Sequence, residues 1–511
     1  MKPLVFAALI SARSAAVVLT LVMAAPLWAQ PSAAAAGDDQ SRPARRFETS
    51  GQARIGGEQV RYRALVEETF VTDDAGQRTA SLVSTSYLRE DFGDTVRPVV
   101  FVFNGGPGSA GLWLQMGLVG PRRVDFDDDV LPPTAPPFRL ADNAESILDV
   151  ADVVIFDPPG TGYSRVLAAG KPEVFFGTAQ DAKMTVNFVR DWVQRHGRWN
   201  SPRFLLGESY GTIRAAVVAK LAAGGPFGTG SMDALTLNGV ILLGQAMASG
   251  GGEVSFATDL PSFAAAAWYH GKVERTGRTL EQHVAEAREF ADGEYIQALF
   301  AGSRLDTDRK QRLADQIASL TGLSASLVLD KDLRISSDTF AKSLLHDTGQ
   351  QVGLYDARFV LPLAASGNDP VADDPAMGQY VPAFVAALNM HLRNEVGVDI
   401  DAPYLAIEFH KVNGPWDYGS GPGVHVPLNH SEDLAIAMRR NPALELFVGT
   451  GYYDLVTTVG AAEYTIAHAV FPPDRVTMRN YESGHMPYLG AGSRERLASD
   501  LRQFIVEASR P

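Results

Sequence analysis

Hydrophobic and polar positions alternate from about Phe47 to Leu88, and the alternation breaks at Gly56-Gly57 and at Asp73-Asp74-Ala75-Gly76. Side chains along a strand point to opposite faces in turn, so this stretch predicts a β-meander of three or four strands. The pattern then changes. Val99–Phe103, Val153–Phe156, Phe204–Leu206, Gly239–Leu243 and Leu444–Val448 are short, almost wholly apolar runs, each leading into a glycine-bearing turn. Runs of this kind suit strands buried on both faces of a sheet. Helical periodicity occupies Ala179–Val193 and Thr212–Ala223 between them. Strands alternating with helices predict an α/β fold with a mostly parallel central sheet. Ligands bind such sheets beyond the carboxyl ends of the strands, where the glycine-rich turns lie.

Between Gly252 and about Ala376 the strand–helix rhythm stops. The segment is helix-rich and is flanked by Ser249-Gly250-Gly251-Gly252 and Asn368-Asp369-Pro370. It predicts a helical cap inserted over the sheet, with the core divided into residues 46–253 and 377–511 around a cap at 254–376. Internal repeats are absent.

The first residues change the picture of where the chain works. Lys2 and Arg13 precede an apolar run, Ala15 to Leu27, followed by small residues. The run is shorter than the ~20 residues of a comfortable membrane span. It reads as a secretory signal peptide, residues 1–29, cut after Ala29, with an uncleaved anchor as the alternative. Residues 30–45 read as a flexible leader. The net charge of -14 argues against a nucleic-acid partner, which requires clustered Lys and Arg. With no cysteine, disulfides, thiolate metal sites and a lipoprotein anchor are excluded. A chain of this size needs no such staples, and the bacterial periplasm fits best.

The chemistry centres on Gly207-Glu208-Ser209-Tyr210-Gly211, a G-x-S-x-G segment between an apolar strand and a helix-forming run. That context is a nucleophile elbow of the α/β-hydrolase fold. Glycines permit the sharp turn, and the positive helix N-terminus stands behind the Ser209 hydroxyl. A serine nucleophile needs a base and an orienting acid, in the chain order Ser, Asp or Glu, His. Of the ten histidines, His485 lies in Ser483-Gly484-His485-Met486-Pro487, after the strand-like Val476–Tyr481. His468 is the rival, but it sits in the helical pattern Glu463–Val470 and is expected to pack. Asp454 follows the Leu444–Val448 strand and is placed to fix the imidazole tautomer. An oxyanion requires two backbone N–H donors. Tyr210, the residue after the nucleophile, supplies one, and the Asn104-Gly105-Gly106-Pro107-Gly108 turn supplies the other.

Four segments occur in a fixed order: Asn104–Gly108, Asp157-Pro-Pro-Gly-Thr-Gly-Tyr-Ser164, Gly207–Gly211 and Gly484-His485-Met486. From about Arg97 to the C-terminus this resembles the serine carboxypeptidases, the carboxypeptidase Y-like family, with the cap the least matching part. The resemblance implies an α/β-hydrolase that removes C-terminal residues from peptides, usually at acidic pH. It implies Ser209, Asp454 and His485 as the triad, and Gly106 with Tyr210 as the oxyanion hole. It further implies that Asn104 and Glu208 bind the substrate's terminal carboxylate. The chain departs from the family at Val102, where Trp is usual, and at Leu118, where Glu is usual. Both departures bear on exopeptidase specificity and leave the hydrolase chemistry untouched.

A carboxypeptidase acting on peptides with a free C-terminus is the leading reading. An esterase or acyltransferase would use the same acyl-enzyme and differ in the nucleophile that resolves it. A catalytically silent binding protein on a hydrolase shell is a third possibility, opposed by the ordered triad. No cofactor or metal is expected, and no HExxH-type spacing occurs.

Overall fold

In the computed structural model, the described residues are 39–510, except 93–95, 127–129, 134, 226–231, 233, 249, 368 and 424–428. The expected signal peptide, most of the leader, and the flanking residues Ser249 and Asn368 lie outside them. Every element below belongs to one compact unit that begins at Pro43.

Nine strands build the sheet: β1 (Arg46–Ile55), β2 (Glu58–Thr72), β3 (Arg78–Arg89), β4 (Val99–Phe103), β5 (Asp152–Phe156), β6 (Arg203–Glu208), β7 (Gly239–Leu243), β8 (Glu445–Gly451) and β9 (Val476–Tyr481). Their order is β1-β2-β3-β5-β4-β6-β7-β8-β9, with the short Arg165–Val166 strand pairing to β3. The first three form the meander, and β3 joins β5 antiparallel. Every later pairing is parallel. A mixed central sheet flanked by helices, with an antiparallel meander at one edge and parallel strands across the rest, is the α/β-hydrolase architecture.

The apolar runs are continuous because both faces of these strands are covered. Val100, Val102, Phe204, Leu206, Ile241 and Leu243 enter one hydrophobic cluster, which includes helix residues Phe384 and Leu501. Their neighbours Val99, Phe101, Phe103, Leu205, Val240 and Leu242 enter a second, with Val189, Trp192 and Ala216. The second cluster is roofed by α1 (Thr178–Arg195) and α2 (Tyr210–Ala222). On α1 the buried Ala182, Val186, Val189 and Val193 recur every three to four residues, one stripe of a helix. Full burial of a Val, Leu, Ile or Phe side chain is worth about 1.5–3 kcal/mol. A strand residue here and its neighbour both collect it, on opposite faces.

Residues 252–343 are mostly helical, beginning with α3 (Gly252–Tyr269). They enclose a third cluster of their own, including Phe263, Val284, Ile317 and Phe340. Phe263 and Phe340 stack with centroids 4.3 Å apart. An antiparallel pair, Gln350–Val352 with Val360–Pro362, interrupts the helices before α4 (Pro375–Met390). The helix-rich reading of this stretch did not contain that hairpin; its strands are three residues each, too short to leave a period in sequence. After β8 come α5 (Val459–His468) and, past β9, α6 (Ala491–Ala508). Among the described residues, no helix is long and apolar enough to cross a membrane.

Candidate active site

Register brings the carboxyl ends of β6, β7 and β8 level: Leu243 pairs with Glu208 on one side and with Gly449 on the other. The chain leaves β6 at Ser209 and turns at once into α2. Ser209 takes φ 59° and ψ -128°, a backbone conformation costly for any residue bearing a Cβ. Bonds on both sides over-determine it. The Ser209 N–H donates to Leu243 O at 2.9 Å, and its carbonyl accepts from the Thr212 N–H at 2.8 Å. The Thr212 hydroxyl adds a bond to the same carbonyl at 2.7 Å. Ser209 is partly exposed, while Glu208 and Tyr210 on either side are buried.

The turn after β4 presses directly on this elbow. A Cβ on Gly105 would stand 2.5 Å from the Tyr210 nitrogen and 2.7 Å from Ser209 Cβ, so only glycine fits. The Gly105-Gly106 backbone and the first N–H of α2 therefore share one small space beside Ser209. The first N–H groups of a helix have no intrahelical partner. A residue not singled out in sequence secures this arrangement: Arg214, on α2. Its side chain is wholly buried, pairs with Asp181 at 2.7 Å, and donates to the Asn104 carbonyl at 2.8 Å.

At the end of β8, Asp454 is fully buried. Its Oδ1 accepts from the backbone N–H groups of Val456 at 2.8 Å and Thr457 at 2.9 Å. Its Oδ2 accepts from the Thr457 hydroxyl at 2.5 Å and lies 2.8 Å from His485 Nδ1. Nδ1–H thus points at the carboxylate, leaving Nε2 free to accept a proton. Nε2 is buried and has no hydrogen-bond partner among the described residues. Burial works against a charge on His485, but the Asp454 carboxylate outweighs it and the imidazole pKa is raised. Residues Tyr355–Arg358 hold this loop. Tyr355 O accepts from the His485 N–H at 2.7 Å, and its ring meets the imidazole edge-on at 5.3 Å. Arg358, paired with Asp356 at 2.6 Å, also reaches the Ser483 hydroxyl at 3.2 Å. His468, expected to pack, is instead exposed; it stacks on Tyr464 at the end of α5.

Glu208 and Asn104 form the floor. The Asn104 amide donates to Glu208 Oε1 at 2.8 Å, and its Oδ1 accepts from the Leu114 N–H at 3.2 Å. Burial pushes the Glu208 carboxyl up to about 7, against the opposing pull of His485, Tyr488 and Asn104. Val102 and Leu118 are fully buried in the apolar core.

Asn104, Gly106, Glu208, Ser209 and His485 line one pocket of about 530 Å³, counting its open mouth. Trp113, Tyr355, Met377, Tyr380, Ile407 and Phe409 wall it. The Trp113 indole N–H is spent on the Ser109 hydroxyl at 2.8 Å, and the Tyr380 hydroxyl on Met377 Sδ at 2.9 Å. Trp113 and Tyr380 therefore present mainly apolar surface to the pocket. Of the expected residues, Asp454 stands behind His485, and Tyr210 offers its backbone beside Gly105. Such a pocket can host nucleophilic attack by a serine with a histidine base and a protonable carboxyl close by.

The serine carboxypeptidase family model matches residues 88–322, which include Asn104 and Ser209 but neither Asp454 nor His485. Among solved structures, the Kex1Δ protein, a prohormone-processing carboxypeptidase from Saccharomyces cerevisiae, aligns with a TM-score of 0.55 at 14% identity, covering 87% of this chain and 92% of that one. Proline iminopeptidase from Mycobacterium smegmatis aligns with a TM-score of 0.36 at 12% identity, over 87% of this chain and 98% of that one. A carboxyl esterase from Bacillus coagulans gives 0.36 and 12%, over 87% and 99%. No curated protein matches the chain. The chain is a hydrolase with the α/β-hydrolase fold, and it resembles the serine carboxypeptidases across residues 88–322.

Proposed function

We propose that the chain is a secreted serine-type carboxypeptidase, acting through an acyl-enzyme on Ser209. One observation carries this reading: the buried Glu208–Asn104 pair sits in the same pocket as Ser209 and His485. An ordinary esterase has no use for a second buried carboxyl beside its nucleophile. A carboxypeptidase has one, because the end of its substrate is a carboxylate. Two charged carboxylates in contact repel, so one must hold a proton. Glu208, with a pKa near 7, holds it below neutral pH and donates to the substrate beside the Asn104 amide.

The steps follow from the positions. His485 Nε2 takes the Ser209 hydroxyl proton as Oγ attacks the scissile carbonyl carbon. The oxyanion is received by the N–H groups of Gly106 and Tyr210. His485, now an imidazolium held by Asp454, gives its proton to the leaving amine, and the C–N bond breaks. Water then loses a proton to His485 as its oxygen attacks the acyl carbon, and the acyl–Oγ bond breaks with that proton returning from His485 to Ser209 Oγ. Export rests on residues 1–29, with the mature chain starting at Gln30.

The second reading is an esterase or acyltransferase, favoured by the mainly apolar wall and by Val102 and Leu118. Hydrolysis of an N-blocked dipeptide with a free C-terminus, beside its amide and its ester, separates the two. The carboxypeptidase cleaves the free acid and spares the amide. Cleavage of the ester alone would overturn the reading.

A further inference from the structure

Two buried polar atoms by the pocket floor are left unpaired and act on each other. Glu208 Oε2 and the Tyr488 hydroxyl each lack a partner in hydrogen-bond geometry among the described residues. Yet Glu208 is the charge that acts most on the Tyr488 hydroxyl, and Tyr488 in turn acts on the Glu208 carboxyl. The ring cannot swing away. It is 1% exposed, and it packs over Gly117, where a Cβ would collide with two of its carbons. The hydroxyl is thus held by the ring, whereas the carboxyl ends a flexible side chain. A buried hydroxyl left unpaired is costly, and the acceptor that acts on it most is Glu208, with the Asn104 amide also acting on it.

We propose that Tyr488 is a positioning residue for carboxyl recognition: its hydroxyl donates to Glu208 Oε2 when Glu208 is charged, and so competes with a substrate carboxylate for that oxygen. The proposal rests on the reading of Glu208 given above. Protonated, Glu208 turns its O–H toward the substrate and Tyr488 is released. Ionised, Glu208 is held by Tyr488 on one oxygen and by Asn104 on the other. The remaining groups acting on Glu208 are His485, which favours its charge, and Asp454, which opposes it. Tyr380, on α4, also feels the Glu208 charge. None of these moves when Tyr488 loses its hydroxyl. Removing that donor should make Glu208 keep its proton to higher pH.

The test is Tyr488→Phe, with kcat/KM measured against pH for an N-blocked dipeptide and for its ester. The alkaline limb of the peptide profile should move up by about one pH unit, the size expected for one hydrogen bond to a charged group. The ester profile, set by His485, should not move up with it, because a Glu208 that keeps its proton raises the imidazole pKa less. Glu208→Gln should abolish the limb, and adding Tyr488→Phe to it should shift nothing further. Gly117→Ala, which displaces the ring and keeps the hydroxyl, should reproduce the upward shift if the phenylalanine variant folds poorly. A peptide limb that stays put, moves down, or moves together with the ester limb would overturn the role of Tyr488 and leave Glu208 standing. A wild-type enzyme that cleaves the ester and never the free acid would overturn both.

Discussion

Two carboxyl groups stand at strand ends of this sheet with β7 between them, both buried and oppositely supplied. Asp454 receives two backbone N–H groups, the Thr457 hydroxyl and the His485 ring. Glu208 receives the Asn104 amide alone, and its second oxygen has no hydrogen-bond partner among the described residues. A carboxylate taken out of water needs donors in its place. The loop after β8 provides them, and the elbow after β6 does not. Burial therefore raises Glu208 to about 7, within reach of working pH. The proposed function gives them two jobs: Asp454 orients the His485 ring, and Glu208 carries a proton that comes and goes. Hydrogen-bond supply, more than depth, separates them.

The comparison matters only if Ser209 is the nucleophile between these groups. Ser209→Ala should abolish fluorophosphonate labelling and lower kcat by about 10⁶, as loss of a triad member does. Labelling that survives would move the chemistry elsewhere. On the fixed-charge side, Asp454→Asn should cost about 10⁴ in kcat by favouring the wrong imidazole tautomer. His485→Ala should approach the loss seen for Ser209. Normal rates in both, with His468→Ala inactive, would break the assignment. The support beneath is tested by Arg214→Met, which strands Asp181 in the core. Removing one partner of a buried pair costs about 3–5 kcal/mol, read as a lower urea midpoint. An unchanged midpoint would deny that this pair holds Asn104.

The strands were legible because both of their faces are buried. Val99–Phe103 and Gly239–Leu243 carry no polar residue, and each is a strand with those same ends. The Ser209, Asp454 and His485 loops could be proposed because each combines a strand end with glycine and a reactive side chain. Asp181 and Arg214 were not legible. They are 33 residues apart on two helices, and in sequence each reads as an ordinary helix charge. Their pairing is a product of how α1 and α2 pack. Tyr488 was missed for a similar reason: a tyrosine in a Pro-Tyr-Leu-Gly loop gives no sign that its hydroxyl ends beside Glu208. The Tyr355–Arg358 clamp on the His485 loop lies more than 120 residues from Ser483 in sequence, and no period or motif joins them. Contacts that depend on tertiary packing leave no local pattern.

The smallest expected effect is also the most telling. It is the pH dependence of kcat/KM for an N-blocked dipeptide with a free C-terminus, in the wild type and in Glu208→Gln. The rate should rise as His485 loses its proton and becomes a base. It should fall again near pH 7 as Glu208 ionises and repels the substrate carboxylate. In Glu208→Gln the fall should vanish, because an amide donates at every pH. An ester of the same dipeptide should show the rise without the fall in either protein. Superimposable peptide and ester profiles, unchanged by Glu208→Gln, would contradict a carboxyl-reading role for Glu208 and point to an esterase.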